Sequence, residues 1–255
     1  ASADIQLLVA SDKVTKTETA YTVIGGDGVT YVFQATGINA PAVNVITRQS
    51  QTFYATQIGK GDEIADYSVN FTADGQTPKS TSVFFYGDAA VAAKALTATQ
   101  TDEAMSRSLS YKGLKDPATV TGFFDASLNV AELSGLQSQT LYYTGFGKGD
   151  EVQDYTVNYA VGTANVRNTT YYYYGTESRT NGDRAENALF STRMVMTETQ
   201  NAAGILKSRA YYDIDGRERG EEVSDYTYTF KTNGTAVDQT VFYYYDPSST
   251  QAGPQ

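Results

Sequence analysis

One acidic motif occurs three times in the chain, and this repetition constrains the fold more than any other feature. It reads "IGKGDEIADYSVNF" at residues 58–71, "FGKGDEVQDYTVNY" at residues 146–159 and "RERGEEVSDYTYTF" at residues 217–230. The copies start 88 and 71 residues apart. Self-similarity of this kind indicates a protein built from repeated supersecondary units, each packing on its neighbours.

An aromatic segment follows every copy of the motif without insertion. These segments are "TSVFFYG" at residues 81–87, "TTYYYYG" at residues 169–175 and "TVFYYYD" at residues 240–246. A further segment precedes the first two copies, as "QSQTFY" at residues 49–54 and "QSQTLYY" at residues 137–143. Asp-Gly and Asn-Gly pairs lie between motif and aromatic segment in the first and third copies, which favours tight turns. Each unit therefore predicts a β-hairpin with one incoming strand.

The fold class predicted from this pattern is all-β. We expect tandem β-hairpin repeats that form an extended, stacked β-ribbon or solenoid-like structure. An irregular β-propeller is the alternative, although the unequal spacing of the copies disfavours a closed ring of equivalent blades. The predicted segments are an N-terminal strand segment with a degenerate repeat (1–48), repeat 1 with a worn second half (49–136), repeat 2 (137–206), repeat 3 (207–246) and a C-terminal tail (247–255).

The aromatic strands carry rings on both faces, because successive side chains of a strand point in opposite directions. Three interpretations remain open: the rings form a core, they offer a platform for glycans, or they are covered by another copy of the chain. The residues of this predicted aromatic face are Phe84, Phe85, Tyr86, Tyr171, Tyr172, Tyr173, Tyr174, Tyr243, Tyr244 and Tyr245.

The composition excludes several classes of function. The chain has no cysteine and no histidine, so it has no disulfide, no Cys/His zinc site and no histidine general base. A net charge of −10 argues against nucleic acid and anionic membrane surfaces as partners. No run approaches the roughly 18 apolar residues that membrane insertion requires. The start "ASADIQ" resembles a product of signal-peptide cleavage, so we expect a secreted, cell-surface protein of bacterial character.

Clustered carboxylates in the motif suggest calcium, which takes six to eight oxygen ligands. The alternative is a solvated turn in which Lys60 or Lys148 pairs with a neighbouring carboxylate. Calcium is the one cofactor that the pattern suggests. The candidate ligands are Asp62, Glu63, Asp66, Asp150, Glu151, Asp154, Asp213, Asp215, Glu221, Glu222 and Asp225.

The same recurrence argues against catalysis. A catalytic pair of carboxylates needs to occur only once, whereas these recur in every copy. No nucleophile elbow, P-loop or dinucleotide fingerprint is present. The sequence therefore predicts that the protein is not an enzyme.

The stretch "AYYDIDGR" at residues 210–217 resembles the tyrosine–aspartate repeats of RHS-like bacterial surface proteins. The resemblance rests on Tyr212, Asp213, Gly216 and Arg217 and covers one unit, since "GKGDE" stands at the corresponding place in the first two copies. It implies an extracellular structure of tandem β-hairpins that serves as a shell, fibre or binding surface.

Together these features predict a secreted structural protein that self-assembles into an extracellular filament, fibre or surface layer, with itself as partner. An extracellular carbohydrate-binding or adhesive module, with surface glycans as partners, is the alternative. A segment near the N-terminus is expected to add as a strand to a neighbour's sheet edge. Its apolar residues are Ile5, Leu7, Leu8 and Val9.

Overall fold

The structure, a computed structural model, describes residues 16–21, 24–25, 28–29, 47–55, 63–88, 93–95, 103–121 and 130–245. These residues are almost entirely antiparallel strands and turns, which confirms the all-β prediction. The helical elements that lie wholly within these ranges are one turn, α1 (Val130–Leu133), and 3₁₀ turns at Pro117–Thr119 and Ala185–Asn187. The strands are β1 (Lys16–Tyr21), β2 (Ile24–Gly25), β3 (Gly28–Val29), β4 (Thr47–Ala55), β5 (Ile64–Phe71), β6 (Pro78–Tyr86), β7 (Ala93–Lys94), β8 (Met105–Lys112), β9 (Leu136–Tyr143), β10 (Val152–Tyr159), β11 (Val166–Gly175), β12 (Asp183–Arg184), β13 (Arg193–Asn201), β14 (Leu206–Asp213), β15 (Val223–Phe230) and β16 (Val237–Phe242).

The chain divides into two compact units. The first comprises Ala1–Glu103 and Arg107–Gln137, and the second comprises Ala104–Ser106 and Ser138–Gln255. The finer segment boundaries stay predictions.

Each unit has strands hydrogen-bonded in an open row. In the first unit the order is β1-β4-β5-β6-β8, with β7 also pairing with β6 and a separate β2–β3 pair. In the second unit it is β9-β10-β11-β13-β14-β15-β16, with β12 also pairing with β11. The second unit therefore places two motif copies in one continuous row rather than in separate blades, unlike the β-propeller that was the alternative prediction.

The three motif strands β5, β10 and β15 pair with their aromatic strands in the same register. Tyr67 lies opposite Val83, Tyr155 opposite Tyr171, and Tyr226 opposite Phe242. The register then shifts near the same end of each hairpin, where the chain turns. The predicted Asp-Gly and Asn-Gly turns are confirmed, because Gly75 and Gly234 adopt φ values of 67° and 70°, a region that favours glycine.

Aromatic and β-branched side chains build the cores. In the first unit, Val83, Phe85, Leu109 and Tyr111 are almost fully buried. In the described part of the second unit, one buried cluster lies on β13 to β15 and another lies on β10, β11 and the 3₁₀ turn at Ala185–Asn187. One contains Val195, Met196, Tyr211, Ile214 and Tyr226, and the other contains Val152, Tyr174 and Ala185.

Candidate functional site

The aspartate that precedes the motif tyrosine is the extra residue of a β-bulge in every copy. The pairing of β4 with β5 passes from Tyr54–Ala65 directly to Phe53–Tyr67, so Asp66 has no partner residue. Asp154 and Asp225 are skipped in the same way in β10 and β15. A bulge locally interrupts the ladder and re-aims a side chain. The recurrent carboxylate therefore serves a recurrent irregularity of the sheet.

A basic side chain from outside the hairpin faces this carboxylate in each copy. Asp225, which is 3% exposed, accepts a short hydrogen bond from Nε of Arg179. Oδ1 of Asp154 lies 2.6 Å from Nη2 of Arg184. In the first copy burial raises the pKa of Asp66, and the positive charge of Lys94 partly offsets that effect.

Arg184 and Lys94 come from equivalent short strands. β12 pairs with the end of β11, where Arg184 lies opposite Tyr173. β7 pairs with the end of β6, where Lys94 lies opposite Phe85. The Arg184 guanidinium also lies 4.6 Å from the centre of the Tyr171 ring, a cation–π distance. Each short strand thus brings a cation to the bulged aspartate beside the aromatic strand.

The carboxylates of Glu151 and Glu222 in the motif accept hydrogen bonds from backbone N–H groups. Oε1 of Glu151 accepts the N–H of Met105 at 2.8 Å, and Oε1 of Glu222 accepts the N–H of Met194 at 3.0 Å. The other oxygen of each carboxylate accepts the N–H of the glycine two residues before it. These glutamates fix the motif turn against the start of another strand.

The calcium hypothesis stays a prediction. Within the ranges that the structure describes, no group of three or more carboxylates is placed to hold a metal ion. Asp62 lies outside the described residues, and Glu63 is half-buried. Asp213 lies 3.6 Å from Arg217 and, through Oδ1, accepts the N–H of Asp215, while Glu221 accepts the N–H of Glu218. Asp150 is exposed.

The last tyrosine of each aromatic strand anchors the hairpin by its hydroxyl. Tyr86 donates to the carbonyl of Ala65 at 2.7 Å, Tyr174 to that of Gln153 at 2.6 Å, and Tyr245 to that of Ser224 at 2.8 Å. The acceptor lies immediately before the bulged aspartate in each case. The same tie therefore recurs whether the ring is buried, as in the first two copies, or exposed, as in the third.

On β11, Tyr174 is buried, and Tyr171, Tyr172 and Tyr173 are half-buried. Tyr173 packs against the cluster that contains Val195 and Met196. Tyr172 and Tyr174 pack in the cluster with Val152 and Ala185. In β6, Phe85 and Tyr86 are buried and Phe84 is half-buried. This packing favours the core interpretation for the first two copies, in which β6 and β11 have paired strands on both edges, while the assignment of the aromatic face stays a prediction.

The third aromatic strand is different. Tyr243, Tyr244 and Tyr245 are 39%, 83% and 40% exposed, and Val241 and Phe242 before them are also exposed. Among the described strands, β16 has β15 as its one neighbour, whereas β11 has β10 and β13. We call β16 together with residues 243–245 the open edge. It is the candidate functional site of the described part of the chain.

The hydrogen bond between Tyr243 and the β15 segment shows in which direction the backbone groups of the open edge point. The N–H of Tyr243 donates to the carbonyl of Asp225 in the neighbouring β15 segment at 2.9 Å. Backbone groups of successive residues in an antiparallel strand point to alternate sides. The N–H and C=O of Phe242 consequently point away from β15, toward the side on which the structure describes no strand.

Sequence reasoning missed the cations Lys94, Arg179 and Arg184. Their only signal is that basic residues lie 4 to 9 residues beyond the aromatic segments of the first two copies. Ile5, Leu7, Leu8 and Val9, the predicted added strand, lie outside the described residues.

No family model matches the chain, and no curated protein is significantly similar to it. Among the described residues, no helix is long and apolar enough to cross a membrane.

Proposed function

We propose that the chain is a secreted structural protein that self-assembles into an extracellular filament, fibre or surface layer. Its tandem β-hairpin units form an extended, stacked ribbon, and copies of the chain join through aromatic strand faces and edges. One observation carries this proposal: the five residues from Val241 to Tyr245 are all exposed, whereas the corresponding residues of β6 and β11 are buried or half-buried.

The open edge has the properties of an association site. Val241 and Phe242 of β16 and the three tyrosines that follow them are all exposed, and the N–H and C=O of Phe242 point away from β15. Unprotected edges of this kind pair readily with other chains, and proteins that stay monomeric blunt them with Lys, Pro or a covering loop. No charge and no proline interrupts residues 239–245.

The motif carboxylates support a structural role over a catalytic one. Asp154 and Asp225 pair with arginines at bulges, and Glu151 and Glu222 hold backbone N–H groups. Each is thereby used to fix the sheet. A repeated carboxylate that holds each unit together explains its recurrence without a reaction.

Binding of surface glycans is the second candidate, since the Tyr244 ring is 83% exposed and aromatic rings stack on sugars. The two candidates separate in one comparison. If Tyr244→Ser abolishes glycan-array binding while the oligomeric state stays unchanged, the adhesive function replaces the structural one.

Sedimentation velocity and negative-stain electron microscopy over a wide range of protein concentration test the proposal. We expect regular filaments for the wild type, and a shift toward monomer for Tyr244→Ser. The matched control is Leu189→Ser, which removes a similarly exposed apolar side chain, 66% exposed, away from the open edge. The control should assemble like the wild type. A monomer at every concentration, with or without calcium, would refute the proposal.

A further inference from the structure

We propose that the occupant of the open edge is β1 of a second copy, paired antiparallel with β16 in the register by which β13 pairs with β11. This inference rests on the proposed self-assembly and specifies its contact. The second unit provides the template for the missing neighbour of β16.

The template is the β11–β13 ladder. Tyr171 lies opposite Glu198, Thr170 opposite Thr199, and Tyr172 opposite Thr197. On its other edge, β13 pairs with β14, with Met196 opposite Tyr211 and a register shift between Thr199 and Gln200. β13 is thus the strand that covers one aromatic strand and begins the next hairpin.

β1 holds the same position relative to the first hairpin. It pairs with β4, with Lys16 opposite Phe53 and Glu18 opposite Gln51, and its register shifts between Thr19 and Ala20. Phe53 lies opposite Tyr67 in β5, as Tyr211 lies opposite Tyr226 in β15. The two ladders therefore agree residue by residue.

This correspondence also aligns identical residues. It places Thr17, Glu18 and Thr19 where β13 has Thr197, Glu198 and Thr199. Among the described strands, β1 has β4 as its one partner, whereas β13 has both β11 and β14. β1 has the register and local sequence of a covering strand, and no described strand pairs with its second edge.

β16 is the counterpart of β11. Phe242 lies opposite Tyr226 as Tyr171 lies opposite Tyr155, so Phe242 corresponds to Tyr171 and Val241 to Thr170. Superposing the two correspondences sets the register between copies. Phe242 of one copy lies opposite Glu18 of the next, Val241 opposite Thr19, and Tyr243 opposite Thr17.

The direction of the backbone N–H and C=O groups identifies one close pair of residues between the two copies. Because Phe242 directs its N–H and C=O to the open side, Val241 and Thr19 form a non-hydrogen-bonded pair there, with Cα atoms about 4.5 Å apart. The template agrees, since the hydroxyls of Thr170 and Thr199 are 3.0 Å apart. Disulfides span Cα separations of this order. A cysteine pair at Val241 and Thr19 is therefore predicted to cross-link.

The contact joins two different surfaces, so it is heterologous. Each added copy presents a new open edge, and such a contact that does not close produces an open filament. Covering β16 in this way also gives the exposed ring of Tyr244 the strand neighbour that Tyr173 has in β13.

The test mixes two single-cysteine variants, Val241→Cys and Thr19→Cys, in the otherwise cysteine-free chain under mild oxidation. Because each variant carries a single cysteine, a disulfide can form only between two copies of the chain. We expect a cross-linked heterodimer to form about a hundredfold faster than with a control pair, because pairing raises the local thiol concentration from about 10 micromolar to about 1 millimolar. The control pair is Val241→Cys with Ala202→Cys, an exposed position in the β13–β14 turn.

Further outcomes distinguish this inference from the proposed function. Filaments without preferential cross-linking of the Val241/Thr19 pair would overturn the contact and leave self-assembly standing. Preferential cross-linking of Val241→Cys with Glu18→Cys or Ala20→Cys would overturn the register. A disulfide inside single chains of the Val241→Cys/Thr19→Cys double variant, with no heterodimer in the mixture, would show that one chain closes on itself and would overturn the inference. A protein that never leaves the monomeric state would overturn both proposals.

Discussion

The aromatic strands β11 and β16 are equivalent in sequence, in register and in their tyrosine tie, yet one is covered and the other is not. Tyr174 is 5% exposed, and Tyr245, which makes the same hydrogen bond, is 40% exposed. The difference lies in the neighbours, because β13 pairs with β11 and the structure describes no strand on that side of β16. Local sequence therefore determines each hairpin, whereas the exposure of its aromatic strand depends on which strand pairs with its other edge.

The largest expected difference between the two strands concerns their last tyrosine. Tyr174→Ala removes a buried ring and should lower the free energy of unfolding by about 3–5 kcal/mol. Tyr245→Ala in dilute monomer should cost about 1 kcal/mol, since its ring keeps much of its contact with water and mainly the hydroxyl bond is lost. Urea denaturation monitored by circular dichroism measures both. Equal losses in the free energy of unfolding would show that the difference in exposure between the two tyrosines does not affect stability.

A second difference separates the cations at the bulged aspartates. The Asp225 side chain is 2% exposed and that of Asp154 is 26% exposed. Arg179→Met leaves a buried carboxylate without its ionic partner and should cost about 3 kcal/mol. Arg184→Met exposes a partly solvated carboxylate and should cost about 1 kcal/mol. Thermal unfolding of both variants provides the measurement, and a reversed order would contradict the assigned roles.

A proline in the open edge tests the backbone argument. Phe242→Pro removes an N–H that points away from β15, so it should leave the monomer's own ladder intact while blocking strand addition. We expect association to weaken by at least about tenfold relative to Phe242→Ala, which loses the ring but keeps the N–H. Sedimentation equilibrium compares the two. Equal association of both variants would exclude pairing through this edge.

The smallest expected effect is a pH dependence that distinguishes Asp66 from Asp225. Oδ1 of Asp66 accepts no hydrogen bond among the described residues, and burial raises the pKa of this carboxyl above 3.8. Its protonated form is therefore favoured on folding. The stability this provides is complete below the unfolded-state pKa and is lost as the pH rises through the folded-state value.

The stability of Asp66→Asn relative to that of the wild type should accordingly be higher at pH 7 than at pH 4. Asp225→Asn should be destabilising at pH 7, because Arg179 loses its ionic partner. Urea midpoints at the two pH values test this contrast. A difference between Asp66→Asn and the wild type that does not vary with pH would contradict it.

Much of the fold follows from local rules. The motif "DYTVNY", the Asp-Gly and Asn-Gly turns and the aromatic segments predict the hairpins, because strand alternation and turn geometry are local properties. The bulge at Asp66, Asp154 and Asp225 could not be predicted, since it appears only when two strands are set in register.

The composition of the candidate site could be predicted from the sequence. The difference in exposure between the third aromatic strand and the other two could not. Residues 240–246 read like their two equivalents, so the sequence suggested one shared role for all three aromatic strands. Exposure differs because the pairing partner is a distant strand, and the order of strands in a row is a tertiary property. The cations Arg179 and Arg184 are likewise brought to the aspartates by connections that carry no motif.

Hydrogen exchange of the backbone amides in residues 237–245, followed as a function of protein concentration, tests the central claim most directly. In dilute monomer the N–H of Phe242 should exchange rapidly while the N–H of Tyr171 in β11 is protected. On assembly, the account predicts that Phe242 becomes protected like Tyr171. Rapid exchange at Phe242 in preparations that contain filaments would contradict it.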